Sequence, residues 1–172
     1  LLSSRGGGAA FAPHWLEDVP VREEMIPVGE GHPDVKIYVI NERPGTARPA
    51  ILHIHGGGYI LAEAGWEVGH LQPIARALDC AIVTVDYRLA PETRYTGSVE
   101  DNYAGLLWLY RNAERLGVDT ERIAIMGESA GGGHAALLAF EARDRGVVPV
   151  ALQVLVYPML DDRTGSSRQV SP

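Results

Sequence analysis

The sequence predicts an α/β fold, a mostly parallel sheet with helices covering both faces. Three observations carry this. Strand-like and helix-like stretches follow one another in the order β-β-β-α-β-α-β-α-β, the pattern of a chain that keeps crossing back over its own sheet. Residues 80–85 and 150–156 are almost purely apolar, as parallel strands buried on both faces are. Residues 122–133 read as a short strand, a tight turn and a helix with no linker between them.

Taken in order, residues 1–20 are Gly-rich and then carry Phe11, Trp15 and Leu16 between Pro13 and Pro20. They form an arm or the remnant of a cap. Residues 21–28 and 35–40 read as two strands, parted by turn residues at Gly29, Gly31, Pro33 and Asp34. In the second, Val35, Ile37 and Val39 alternate with Lys36 and Tyr38, as expected of a half-exposed antiparallel pair. Residues 50–55 are a third, more continuously apolar strand. It runs into His55-Gly56-Gly57-Gly58-Tyr59. A helix is expected over 66–78, with Leu71, Ile74, Ala75 and Leu78 at helical spacing. The strand 80–85 follows.

The next helix is punctuated. Ser98 is expected to cap it, with Glu100 and Asp101 in its first turn and Arg111 and Arg115 near its end before Gly117, which suits the helix dipole. Val99, Tyr103, Leu106, Leu107 and Tyr110 form its apolar face. The helix after the turn at 127–131 ends near Gly146, and the strand 150–156 leads to Tyr157-Pro158. The organisation expected is an arm over 1–20, a core over 21–160 and a polar tail over 161–172.

With 172 residues, 46% of them hydrophobic and 22% charged, the chain is that of a globular domain. A net charge of −7 argues against a nucleic-acid partner, which needs clustered Lys and Arg. The single cysteine, Cys80, excludes an internal disulfide and reads as a buried thiol in a reducing compartment. No apolar run is long enough to span a membrane and no signal peptide is evident. The location expected is cytoplasmic.

The chemistry sits in the turn. Gly127-Glu128-Ser129-Ala130-Gly131 matches G-x-S-x-G, the nucleophile elbow, in which a serine stands in a strained conformation between strand and helix. Small residues two before and two after let the strand and the helix pass. A serine hydroxyl needs a base to take its proton and donors to hold the oxyanion that forms. The amides of Gly57, Gly58 and Ala130 are candidate donors. Both bends follow parallel strands, and such loops line the ligand crevice of an open α/β sheet.

These segments resemble the hormone-sensitive-lipase-like branch of the α/β-hydrolases. The matches are His55-Gly56-Gly57-Gly58, the elbow with Gly132, Asp86-Tyr87-Arg88-Leu89-Ala90-Pro91-Glu92, and Tyr157-Pro158-Met159-Leu160-Asp161. The resemblance implies an α/β-hydrolase fold and a carboxylesterase or lipase acting on short to medium acyl esters, with no cofactor. It implies Ser129 as nucleophile, Gly57, Gly58 and Ala130 as the oxyanion hole, and His55 and Gly56 as members of the supporting loop rather than the base. The triad order in this fold is Ser, then Asp or Glu, then His. After Ser129 the only histidine is His134, inside the elbow helix, and Glu141, Asp144, Asp161 and Asp162 do not follow a further parallel strand. The expectation is therefore that the sheet is incomplete at its C-terminal end and that the triad acid and histidine are not in these residues. The isolated chain is then expected to be inactive, and to pair with a complementary C-terminal fragment or with itself. A non-catalytic ligand-binding protein on the same scaffold, of the gibberellin-receptor type, is the alternative.

The remaining candidates weigh as follows. His53 and His55, two apart on a strand, suggest a metal pair but lack a third ligand, so no metal is expected. Glu128 reads as structural support, and Asp86 and Arg88 as holding their loop. Tyr59 and Trp66 either line a substrate pocket or pack. Phe11 and Trp15 are candidates for a cap.

Overall fold

The computed structural model describes residues 13–161 and 163. Phe11, Asp162 and most of the expected tail lie outside the described residues. The elements are β1 (Val21–Ile26), β2 (Val35–Ile40), β3 (Arg48–Ile54), α1 (Ala64–Ala77), β4 (Ala81–Val85), α2 (Tyr95–Arg111), α3 (Ala113–Leu116), β5 (Val118–Glu128), α4 (Ala130–Arg145) and β6 (Leu152–Val156). They build one six-stranded sheet in the order β1-β2-β4-β3-β5-β6. β1/β2 and β2/β4 are antiparallel; β4, β3, β5 and β6 run parallel.

Strand alternation divides the core between two faces. Leu52, Ile54, Val83, Val85, Ile123 and Ile125 meet Leu106 and Leu109 of α2 and Ala135 and Leu138 of α4. Ile40, Ile51 and Ile82 point the other way, onto Val68, Leu71 and Ala75 of α1. Both faces of β3 and β4 are thus apolar because both are covered.

The expectation for β6 was the same, and the structure corrects it. Leu152, Val154 and Val156 are 59%, 37% and 38% exposed. β6 ends the sheet, and among the described residues α4 packs on one of its faces only. On the other face an open groove of about 500 Å³ is lined by Ile51, Ile74, Leu78, Ala124, Met126, Leu152 and Val154.

Two helix starts also differ from expectation. α2 begins at Tyr95, not after Ser98. The Ser98 hydroxyl instead donates to the Arg88 carbonyl (2.7 Å), and the buried Asp101 accepts Arg88 on both oxygens. α1 begins at Ala64, whose amide donates to Asp86 Oδ1 (2.9 Å), a cap supplied from beyond β4. Residues 13–20 pack on the α1 side. The buried Gln72 of α1 donates to the carbonyls of Leu16 and Val19, and Trp15 stands edge-on to Tyr38 of β2.

Candidate active site

The parallel strands β3 and β5 are neighbours, so the bends that follow them stand side by side. Ser129 occupies the second bend at φ 53°, ψ −117°, a strained conformation for a residue with a side chain. The crossing of β5 and α4 is tight. A Cβ on Gly127 would overlap the Gly131 carbonyl, and one on Gly131 would overlap the Ile54 carbonyl. The serine's own peptide groups are fastened from downstream. Its N–H donates to Val156 O (2.9 Å), and its carbonyl accepts from the amides of Gly133 (3.1 Å) and Met159 (2.9 Å).

The first bend wraps over this elbow. Gly57, Gly58 and Tyr59 all have positive φ (107°, 62° and 66°), and the Gly57 carbonyl accepts from the amides of Ile60 and Leu61. A Cβ on Gly56 would lie 3.5 Å from Ser129 Cβ, so the two bends touch. Ala130 opens α4, where the first amides of a helix lack an internal partner.

Side chains lock the bends together. Gly56 N–H donates to Glu128 Oε1 (2.6 Å), while Glu128 Oε2 meets His53 Nε2 (3.0 Å). His53 Nδ1 is 2.9 Å from Thr84 Oγ1. His55 donates from Nδ1 to the Gly56 carbonyl (2.8 Å) and stacks on Tyr87, whose hydroxyl donates to the His55 carbonyl (2.9 Å). Tyr59 donates to the Met159 carbonyl (3.2 Å) and stands edge-on to His134.

Burial sets the charge states. It pushes both His55 and His134 down to about 4 and keeps them neutral, and it raises the Tyr87 hydroxyl. Burial also works against the Glu128 carboxylate. The hydrogen bond and charge of His53, with the Gly56 amide, outweigh it and hold Glu128 below its ordinary value. On α1, Glu67 is raised by burial and by the Glu128 charge.

Of the residues singled out in the sequence, Ser129, Gly56, Glu128 and Ala130 meet at the contact of the two bends, and Gly57 and Gly58 carry the adjoining turn. His53 and His55 do not act as a pair, since their rings go to different partners. Among the described residues no group of three His, Cys, Asp or Glu side chains is placed to hold a metal ion. Asp86 and Arg88 hold neighbouring segments, through Ala64 and Asp101. The Trp66 indole N–H is buried. Among the described residues no histidine hydrogen-bonds to the Ser129 hydroxyl. His134 instead stands edge-on to Tyr59 and Tyr87. Sequence reasoning missed the link from Thr84 through His53 to Glu128. Its one visible trace was a histidine at an inward position of an apolar strand.

Comparison with known proteins agrees with this architecture. A family model described as alpha/beta hydrolase fold matches residues 51–172. The carboxylesterase NlhH of Mycobacterium tuberculosis is 43% identical over 156 residues, covering 85% of this chain and 46% of that protein. The esterase LipI of the same organism is 41% identical over 110 residues, covering 64% of this chain and 34% of the relative. A solved bacterial heroin esterase superposes with a TM-score of 0.87 at 43% identity, covering 95% of this chain and 53% of that one. The chain thus spans between a third and a half of the length of these sequence relatives.

Proposed function

The chain belongs to the α/β-hydrolase family, and from that premise we propose that the full-length protein is a serine carboxylic-ester hydrolase working through an acyl-Ser129 intermediate. The observation that carries this is the strained Ser129 at the tip of the β5–α4 turn, with the H-G-G-G bend packed on its Cβ. Relatives named esterase and carboxylesterase support the reaction class. The substrate proposed is a small ester of short to medium acyl length. Residues 21–160 would be the catalytic core, with residues 1–20 as an arm beside it.

In this reading the Ser129 oxygen attacks the ester carbonyl carbon, and its proton passes to a general base. The carbonyl oxygen becomes an oxyanion held by the amides of Gly57, Gly58 and Ala130. Donors held in place by the folded backbone would need no reorganisation as charge develops. The acyl group stays on Ser129 until water releases it. The base would follow the nucleophile and the acid in chain order. His134 does not fit that role, because its ring is committed against two tyrosines. Tyr59, at the junction of the bend with Met159, would border the substrate.

Ser129→Ala in the full-length protein should lower p-nitrophenyl acetate turnover by about 10³-fold or more, with substrate binding little changed. Turnover that survives the substitution would end the assignment.

A further inference from the structure

We propose that His53 is a positioning residue for the H-G-G-G bend: acting through Glu128, and backed by Thr84, it fixes where the Gly56 peptide stands against the nucleophile elbow. This rests on the oxyanion-hole reading above for its effect on turnover, but not for its geometry.

The link crosses three adjacent strands. His53 in β3 lies opposite both Thr84 in β4 and Met126 in β5. Glu128 is two residues beyond Met126, so its side chain leaves the same face as Met126. The contacts run Thr84 Oγ1 to His53 Nδ1 (2.9 Å), His53 Nε2 to Glu128 Oε2 (3.0 Å) and Gly56 N–H to Glu128 Oε1 (2.6 Å). The link therefore starts beside β3, passes through the elbow's own residue 128 and returns to the loop that follows β3.

Proton bookkeeping gives the two contacts at Glu128 one sense each. An ionised carboxylate only accepts, so His53 Nε2 carries the hydrogen. The Gly56 amide donates to the other oxygen. His53 Nδ1 and Thr84 Oγ1 share the remaining hydrogen bond, 2.9 Å long. Each of these polar atoms therefore has a hydrogen-bond partner.

The need for His53 follows from exposure. Its side chain is 3% exposed, whereas that of Glu128 is 24% exposed and has a route to solvent. A carboxylate with only the Gly56 amide to hold it would gain hydration by turning outward, and the bend would lose its tether. His53 anchors the second oxygen and removes that alternative. An apolar side chain would fill the same buried position but could not do this. Glu67 of α1 lies within reach of the same charges, and burial together with the Glu128 charge raises it above its ordinary value.

The test uses the full-length protein with His53→Leu and His53→Gln. Three quantities are read: the backbone amide resonance and hydrogen exchange of Gly56, the melting temperature, and kcat and KM for p-nitrophenyl acetate. A short bond to a carboxylate places the Gly56 amide proton far downfield. His53→Leu should move it upfield and speed its exchange. It should also lower kcat by about 10-fold, less than the 10² to 10³ that outright loss of one oxyanion donor costs, with KM nearly unchanged. His53→Gln can still donate to Glu128 and should recover most of both signals. A Gly56 amide that does not respond to His53→Leu overturns the proposal, as does a shifted amide with kcat intact in an active enzyme. If the protein hydrolyses no ester, the amide readout alone decides. If His53→Leu does not fold, Thr84→Val should give a smaller shift in the same direction, and an unmoved amide there overturns the proposal equally.

Discussion

At the scale of single residues, two buried rings contribute to the response to acid. His55 and His134 titrate near 4 in the folded protein, against 6.5 for an unperturbed histidine. Above pH 6.5 neither state holds the extra protons and this stability is fully present. As pH falls from 6.5 toward 4, the unfolded chain takes up protons that the folded chain refuses, so folding weakens. Urea unfolding at several pH values across that window should show the midpoint falling. His134→Leu, which keeps the volume near Tyr59 and Tyr87 but cannot charge, should make the slope shallower. Residue by residue, the site was half legible. Ser129, Gly127 and Gly131 could be read because the elbow's backbone demands them locally. His53 could not, because Thr84 and Glu128 come from two other strands and only the sheet register brings them together.

At the scale of elements, burial decides which positions matter. Leu138 of α4 is fully buried against the sheet, whereas Leu152 of β6 is 59% exposed. Leu138→Ala should cost about 2–5 kcal/mol through lost burial and the cavity left behind. Leu152→Ala should change stability by no more than about 0.5 kcal/mol. Chemical denaturation of the two variants measures the contrast. The order of the strands and the three long helices was legible because periodicity reports which faces are apolar, while the short α3 was not separated from the helix before it. The starts of α1 and α2 were not. Asp86 caps α1 from beyond β4, and Ser98, a good capping residue by type, is taken by the Arg88 carbonyl. A local cap signal loses when a tertiary partner claims the same hydroxyl.

At the scale of the whole molecule, β1 and β6 are the two edges of the sheet among the described residues. β1 and β2 form one end as an antiparallel pair carrying Arg22, Glu23, Glu24 and Lys36. Among the described residues β6 is a parallel, apolar edge strand, and such an edge is a template for further pairing. The 172-residue chain on its own should therefore self-associate as its concentration rises. Val154→Lys, on the exposed edge strand, should reduce that association without altering the far-UV circular dichroism. Light scattering against concentration checks both. The apolar run 150–156 could be read as a strand, but its exposure could not, because composition reports what a strand is suited to face and not what covers it.

The hold that Val156 and Met159 keep on the peptide groups of Ser129 bears on protein engineering. The pentapeptide with its strand and helix is not a portable cassette. Grafted into another β–turn–α unit, it would carry the glycines that permit the conformation but leave behind the distant backbone that enforces it. A recipient scaffold would have to supply an acceptor for the serine amide and a second donor for its carbonyl, beside Gly133, before the hydroxyl stood in the same place.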